Sequence, residues 1–418
     1  MSFAQVSTGR RRLSQVEADL LLGAHEKFVS GRPGGRRAAC RFIDFSGLDL
    51  SNRNLSDADF TGSAFDGCRM VRTRLERASL FGCSLLKADL RGAVLVRADM
   101  RGVCLRGSNL AYADLTQADF REGQITIPHP SKGLQNARQE LRSGDLDHVI
   151  FSGATLDGLD MSGASAFAAD FRDCSLRAAK LNRANLKDAN LAGALMEGAV
   201  IAGANLEGAN LQGAVITGVE FQGARGLSSA PPGCLAAPAP EAVAKAVSWA
   251  AQAEANRQWC VTGGKQGAPA SFDGCDLRPL GDRLKGAWLT AMSARDACLV
   301  GMDLSGCQLQ GANLEGADLR GVNLLGADLR GAKLAGANLT KSDLRQTVFG
   351  PLPLPGGRFN AANLGGARLR YVAAVMADFT SATLDGADLR FSDFTGARLG
   401  GASLQNAQRE ETVGIEAG

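Results

Sequence analysis

The sequence predicts an all-β solenoid, a ribbon that bends at short intervals and stacks its turns, and three observations predict it. A five-residue period runs through most of the chain. Glycine is abundant, at 52 of 418 residues, while aromatics make up only 6%. That composition suits frequent turns around small inward side chains better than a layered globular core.

The period is read from Ala88-Asp89-Leu90-Arg91-Gly92 onward, and it is almost pure around residues 312–340. There Leu314, Leu319, Leu324, Leu329, Leu334 and Leu339 each follow a small residue two places earlier, at Ala312, Ala317, Val322, Ala327, Ala332 and Ala337. Neither a 3.6-residue helix nor a strand of period two keeps one side inward at every fifth residue. A short extended piece followed by a bend does. The small residue and the Leu or Phe face inward, the intervening Asp or Asn faces out, and the Gly-rich fifth position turns the chain. The outward Asp or Asn can hydrogen-bond the turn backbone, which explains its frequency without invoking chemistry.

The A-(D/N)-L-x-x pattern resembles the pentapeptide-repeat family. That resemblance implies a right-handed quadrilateral parallel β-helix with four repeats per coil, and it covers about three quarters of the chain, a length specific for fold but not for function. Repeat centres run every fifth residue from Phe45 to Ile125 and from Leu146 to Phe221; a third series opens at Phe272 and Leu277, slips by two, and resumes from Leu284 to Leu404. The expected organisation is a leader over 1–39, a repeat block over 40–125, an insertion over 126–145, a second block over 146–224, an Ala/Pro-rich insertion over 225–271, a third block over 272–404 and a polar tail over 405–418. The phase changes between blocks leave open whether they share one stack.

Solenoid ends need cover, because an open coil presents unpaired edge and apolar interior. Ser14-Gln15-Val16-Glu17 is a capping-box signature, so a capping helix is expected over about 14–30, with Leu13, Val16, Leu20, Leu21, Ala24 and Phe28 as its apolar face. His25 reads as a helix-face residue rather than a ligand, and this leader resembles the one that precedes the coils in some bacterial family members. The first insertion carries Pro128-His129-Pro130 and then a candidate short helix over 134–141. The second predicts an inserted helix from Pro240 to Trp259, with Val243, Ala246, Val247 and Ala250 along one face. Pro351 to Gly357 is expected to bulge from a coil.

The charge is nearly neutral at +3 but uneven, with 18 Lys/Arg against 11 Asp/Glu in residues 1–106 and 28 against 32 afterwards. Nine of those cations lie between Arg69 and Arg106, and twenty-residue stacking would set Arg77 beside Arg97 and Arg101 beside Arg121. These four, with Trp249 and Trp259 of the second insertion, are the candidate partner-binding residues. The ten Cys are scattered without a C-x-x-C pair and mostly take Ala positions, as small buried thiols of a reducing cytoplasm would. No phosphate loop, nucleophile elbow or metal-ligand spacing appears, so no enzyme activity, cofactor or metal is expected. The N-terminus has no export-signal pattern and no run of 18 apolar residues occurs, so neither export nor a membrane partner is expected.

The function expected is a non-catalytic scaffold that offers a rigid surface and projecting insertions to protein partners. Some family members imitate DNA and modulate type II topoisomerases, an alternative that the +3 charge does not favour. Nucleic-acid or other anionic-ligand binding by the basic N-terminal half is the third reading. An end-to-end homodimer could form at the weakly covered C-terminal coil.

Overall fold

A computed structural model describes residues 10–129 and 133–415. The five-residue period becomes a parallel solenoid whose rungs pair residue i with residue i+20, as in Asp49 with Arg69 and Asn313 with Lys333. Most repeats bend in one way. In Leu90-Arg91-Gly92-Ala93 the Ala93 amide donates to the Leu90 carbonyl at 3.0 Å, and Gly92 has φ +64°. This is the pattern of a type II turn, whose third residue needs a positive φ. Inward Leu, Phe and Ala are buried at nearly every repeat, and stacked rings such as Phe45 on Phe65, 4.9 Å apart, fill the same place in successive coils.

The chain divides into two compact units, Met1–Ala237 and Pro238–Gly418, each with its own core. In the first, β1 (Arg11–Arg12) precedes helix α1 (Gln15–Val29) and pairs in parallel with β2 (Ile43–Asp44). The Ser14–Glu17 capping box forms as the sequence indicates. The buried face of α1 differs from the expected one: Ala18, Leu22 and His25 point into the coil, while Val16 and Leu20 are exposed. The polar residue His25 belongs to the inward stripe because the first coil has unpaired backbone groups to satisfy there. His25 Nδ1 accepts from the Ala38 amide at 3.1 Å and Nε2 lies 3.0 Å from the Ser56 carbonyl, so the ring is neutral with its proton on Nε2. Gln15 likewise bonds both the amide and the carbonyl of Asp49. Gly35 passes so close that a Cβ would stand 2.3 Å from the Phe28 nitrogen.

The ladder continues across the first insertion, with Cys104 pairing Asp145 and Asp119 pairing Asp160, so both early blocks share one stack. The excursion is an antiparallel hairpin of β3 (Gly123–His129) and β4 (Gly133–Arg142). The helix expected over 134–141 is therefore a strand. Eight residues are too few for a stable isolated helix, and pairing with the alternating Ile125-Thr126-Ile127 satisfies their backbone. Ile125 leaves the repeat series: it is buried outside the contiguous core, over Gly82. Pairing also carries the first unit on to Leu235.

The second unit repeats the plan of the first. Helix α2 (Pro240–Val261) heads it and buries Ala246, Trp249 and Asn256. Val243 and Val247, expected inward, are exposed, because the bulky Trp249 and the hydrogen-bonding Asn256 turn the opposite stripe to the coil. Asn256 Oδ1 accepts from the Ala270 amide at 2.8 Å and Nδ2 donates to the Thr290 carbonyl at 3.1 Å, the same task His25 performs in the first unit. Gly267 matches Gly35, with a Cβ position 2.0 Å from the Ala255 carbonyl oxygen. The two-residue slip is absorbed by a 3-10 helix, Arg278–Leu284. The Pro-rich stretch forms a hairpin of β5 (Leu352–Leu354) and β6 (Arg358–Asn360), after which Lys333 pairs Asn363. Residues 405–413, polar by composition, still pair through Gln408 and Val413, leaving Leu399, Leu404 and Ile415 half-buried at that end. Among the described residues no helix is long and apolar enough to cross a membrane.

Burial lowers the His25 pKa from its ordinary value of 6.5, against the hydrogen bond to Ser56. The unfolded chain therefore binds a proton first as pH falls through 6.5, and the folded state loses stability from there down to its own lower pKa. Amide-exchange protection of α1 should fall between pH 8 and pH 5, conditions on either side of the free-imidazole pKa of about 6.5. Helix α2, held by the non-titrating Asn256, should not change; equal responses of the two helices would refute the assignment.

Candidate interaction surfaces

Where an Arg stands two residues on, the outward Asp does two things. Asp89 Oδ1 accepts from the Arg91 amide at 3.2 Å, which fixes the turn, and its carboxylate also takes the Arg91 guanidinium at 2.9 Å. The same two-residue clasp joins Asp99 to Arg101, Asp119 to Arg121, Asp318 to Arg320 and Asp388 to Arg390. The triplet Asp-x-Arg is its signature in the sequence, a signal that counting cations overlooks.

This clasp, with contacts between coils, decides the fate of the basic stretch. Arg77 and Arg97 share a column, yet Arg77 reaches back to Asp57 at 2.7 Å and Arg97 forward to Gln117 at 2.8 Å. Arg101 and Arg121 stack at twenty residues, but each is held by its own Asp, and the Arg101 guanidinium also lies 5.1 Å from the centre of the Phe81 ring. Arg69, Arg74, Arg91 and Arg106 are ion-paired as well; Arg72 and Lys87 have no ion pair among the described residues. Burial would raise the Asp119 pKa, but its bonds to Arg121 outweigh that and hold it below the usual carboxylate range. The surface is a lattice of alternating charges rather than a cationic field, and such a lattice does not release counterions as a bare basic patch does.

The two candidate tryptophans part company. Trp249 is 5% exposed and lies in the core beneath α2, its side chain packed away from the surface. Trp259 is half-buried on the last turn of α2, and Trp288, 46% exposed, faces it across a cavity. Trp288 is not among the candidates that the sequence analysis names. Its signal is local, since it stands where the repeat calls for Asp or Asn.

The cysteines follow the coil's needs. Cys68, Cys83, Cys174 and Cys307 donate to the carbonyl 23 residues earlier, as Thr73 and Thr347 do from the same small-residue position. Burial pushes the Cys83 thiol up to about 12, which leaves it unreactive at neutral pH. All ten are free. Among the described residues no group of three or more His, Cys, Asp or Glu is arranged to hold a metal ion.

The signature described as pentapeptide repeats (8 copies) matches residues 43–82, 73–110, 169–199, 194–225, 290–326, 307–346 and 362–408, together more than half of the chain. Similar solved structures include the pentapeptide repeat protein Rfr23 from the cyanobacterium Cyanothece 51142, 21% identical, covering 30% of this chain and 90% of that one at a TM-score of 0.22. HetL, a pentapeptide repeat protein involved in heterocyst differentiation regulation from the cyanobacterium Nostoc, is 19% identical over 91% of each chain, with a TM-score of 0.14. A trypsin-treated form of QnrB1, a plasmid-mediated fluoroquinolone resistance protein, is 18% identical over 48% of this chain and 87% of that one, with a TM-score of 0.23. No curated protein matches.

Asp119→Asn should loosen Arg121, and also Arg101, whose Nε lies 3.9 Å from Asp119 besides its own pair with Asp99. We expect a loss of about 1 kcal/mol in urea unfolding, the size of a partly exposed charged pair, and elution from heparin at higher salt. Unchanged heparin retention would mean that these arginines are not masked.

Proposed function

The chain belongs to the pentapeptide-repeat family, built as a right-handed β-helix solenoid, and on that premise we propose that it is a non-catalytic scaffold binding protein partners. The observation that carries this reading is the contrast between a fixed lattice and the few places where the chain leaves it. Coil side chains are locked in rungs of twenty residues, while the β3–β4 hairpin, the β5–β6 hairpin and the outer face of α2 depart from them. Departures from a rigid frame are where recognition concentrates.

In this proposal the coils are four-sided, four repeats closing each twenty-residue turn, and α1 and α2 act as end caps. Ten free thiols suit a reducing, cytoplasmic setting. Half-buried Leu399, Leu404 and Ile415 would form the contact of an end-to-end homodimer. Modulation of a type II topoisomerase is the alternative, favoured by the projecting β3–β4 hairpin but opposed by the pairing of Asp with Arg across adjoining columns. Direct nucleic-acid binding is weakened further, since most of the basic stretch is ion-paired.

Deleting α2 would uncover Phe272 and Leu277, so the hairpin tips are the cleaner probes. Affinity capture from lysate should compare the intact chain with versions in which residues 128–133 or 353–357 are replaced by short turns. A partner held by the intact protein and lost from one trimmed version is the expected result; topoisomerase subunits among the captured proteins would promote the alternative. Capture of nothing by the intact chain would count against the scaffold reading.

A further inference from the structure

In the second unit, the last turn of α2 and the β5–β6 hairpin flank one stretch of coil, and between them lies a cavity of about 540 Å³. Trp259 and Leu352 stand at its sides and Trp288 in its floor. Two adjoining columns supply the rest of the floor: Gln308 one coil beyond Trp288, and Thr290, Gln310 and Arg330 in successive coils.

The floor departs from the repeat's own chemistry. At Trp288 and Gln308 the turn-fixing Asp or Asn is absent, and at Trp288 a large apolar side chain is exposed in its place. Apolar residues take this position elsewhere, as Val94, Ile150 and Val200 do, but Trp288 is the largest of them and stands opposite a second indole across the cavity. The polar groups beside it are fixed rather than loose. Thr290 donates to Gln310 Oε1 at 2.8 Å, Gln310 Nε2 donates to Gln308 Oε1 at 2.7 Å and to Asp328 at 2.8 Å, and Asp328 holds Arg330 at 2.6 Å. Neither indole N–H has a partner among the described residues.

We propose that this cavity binds a neutral saccharide. Its size falls within the range of small-ligand pockets, about 300–1,000 Å³. The Asp328–Arg330 pair leaves the floor without net charge, so it offers nothing extra to a phosphate or carboxylate. The remaining lone pairs of Thr290, Gln308 and Gln310 accept and the two indole N–H groups donate, and a sugar hydroxyl, itself both donor and acceptor, can satisfy the two kinds together. The indole faces meet the apolar C–H face of a pyranose ring. This goes beyond the protein-scaffold reading, which would survive its failure.

Two of the three tryptophans line the cavity, so intrinsic fluorescence of the full chain reports it directly. Cellotriose, maltotriose, chitotriose and mannotriose should each be titrated to about 10 mM, since weak single-site sugar binding corresponds to millimolar dissociation constants of about 1 mM. A saturable change with at least one is expected. Trp288→Ala and Gln310→Ala, both outward and checked for folding by circular dichroism, should each weaken it tenfold or more, and Trp288→Phe should retain most of it. No saturable response to any of the four sugars would overturn the proposal. So would a response that both alanine variants leave intact, or one given by AMP or a polyproline peptide and by no sugar.

Discussion

Backbone hydrogen bonding across twenty residues is the constraint from which the rest of this structure follows. In the repeat Ala317-Asp318-Leu319-Arg320-Gly321 the Asp318 amide donates to Ala297 in the coil before, and those of Leu319 and Gly321 donate to Asn338 and Thr340 in the coil after. The Ala317 amide closes the preceding turn on Leu314, and the Arg320 amide is taken by the Asp318 side chain. No amide of the repeat is left over. A buried amide without a partner is costly, and that cost explains why each position of the repeat is restricted.

The same constraint explains the ends. A first coil has amides and carbonyls with no earlier coil to meet them, and a plain apolar helix could cover the interior but not these groups. Both units meet this with a helix whose inward stripe contains one polar residue, His25 in one and Asn256 in the other, bonded to the first coil's alanine amide and to a carbonyl one rung on. The close passage at Gly35 and Gly267 brings chain and helix near enough for those bonds.

Much of this was legible in the sequence. The period, the inward Leu positions, the turn glycines and the existence of both helices follow from local pattern, because each repeat makes the same choice and errors do not accumulate. The faces of the helices were not legible. Counting aliphatics turned Val16, Leu20, Val243 and Val247 inward, whereas the coil's unpaired groups demanded His25 and Asn256. The β3–β4 hairpin was hidden because helical propensity over a few residues is weaker than the pairing available to them. The partners of the candidate arginines were hidden for a related reason: charge was counted along the chain, whereas Arg77 and Arg97 find theirs twenty residues away and Arg101 and Arg121 theirs in an Asp read only as a turn residue. Trp288 was visible all along as a breach of the repeat.

Residue-resolved amide hydrogen exchange of the native protein tests the central claim most directly. The account predicts protection with a period of five across both units. The amide after each central Leu should be the least protected of the five, and less protected still at Val96, where Val94 replaces the capping Asp, than at Arg320, where Asp318 is present. Protection without that period, or equal protection at Val96 and Arg320, would contradict it.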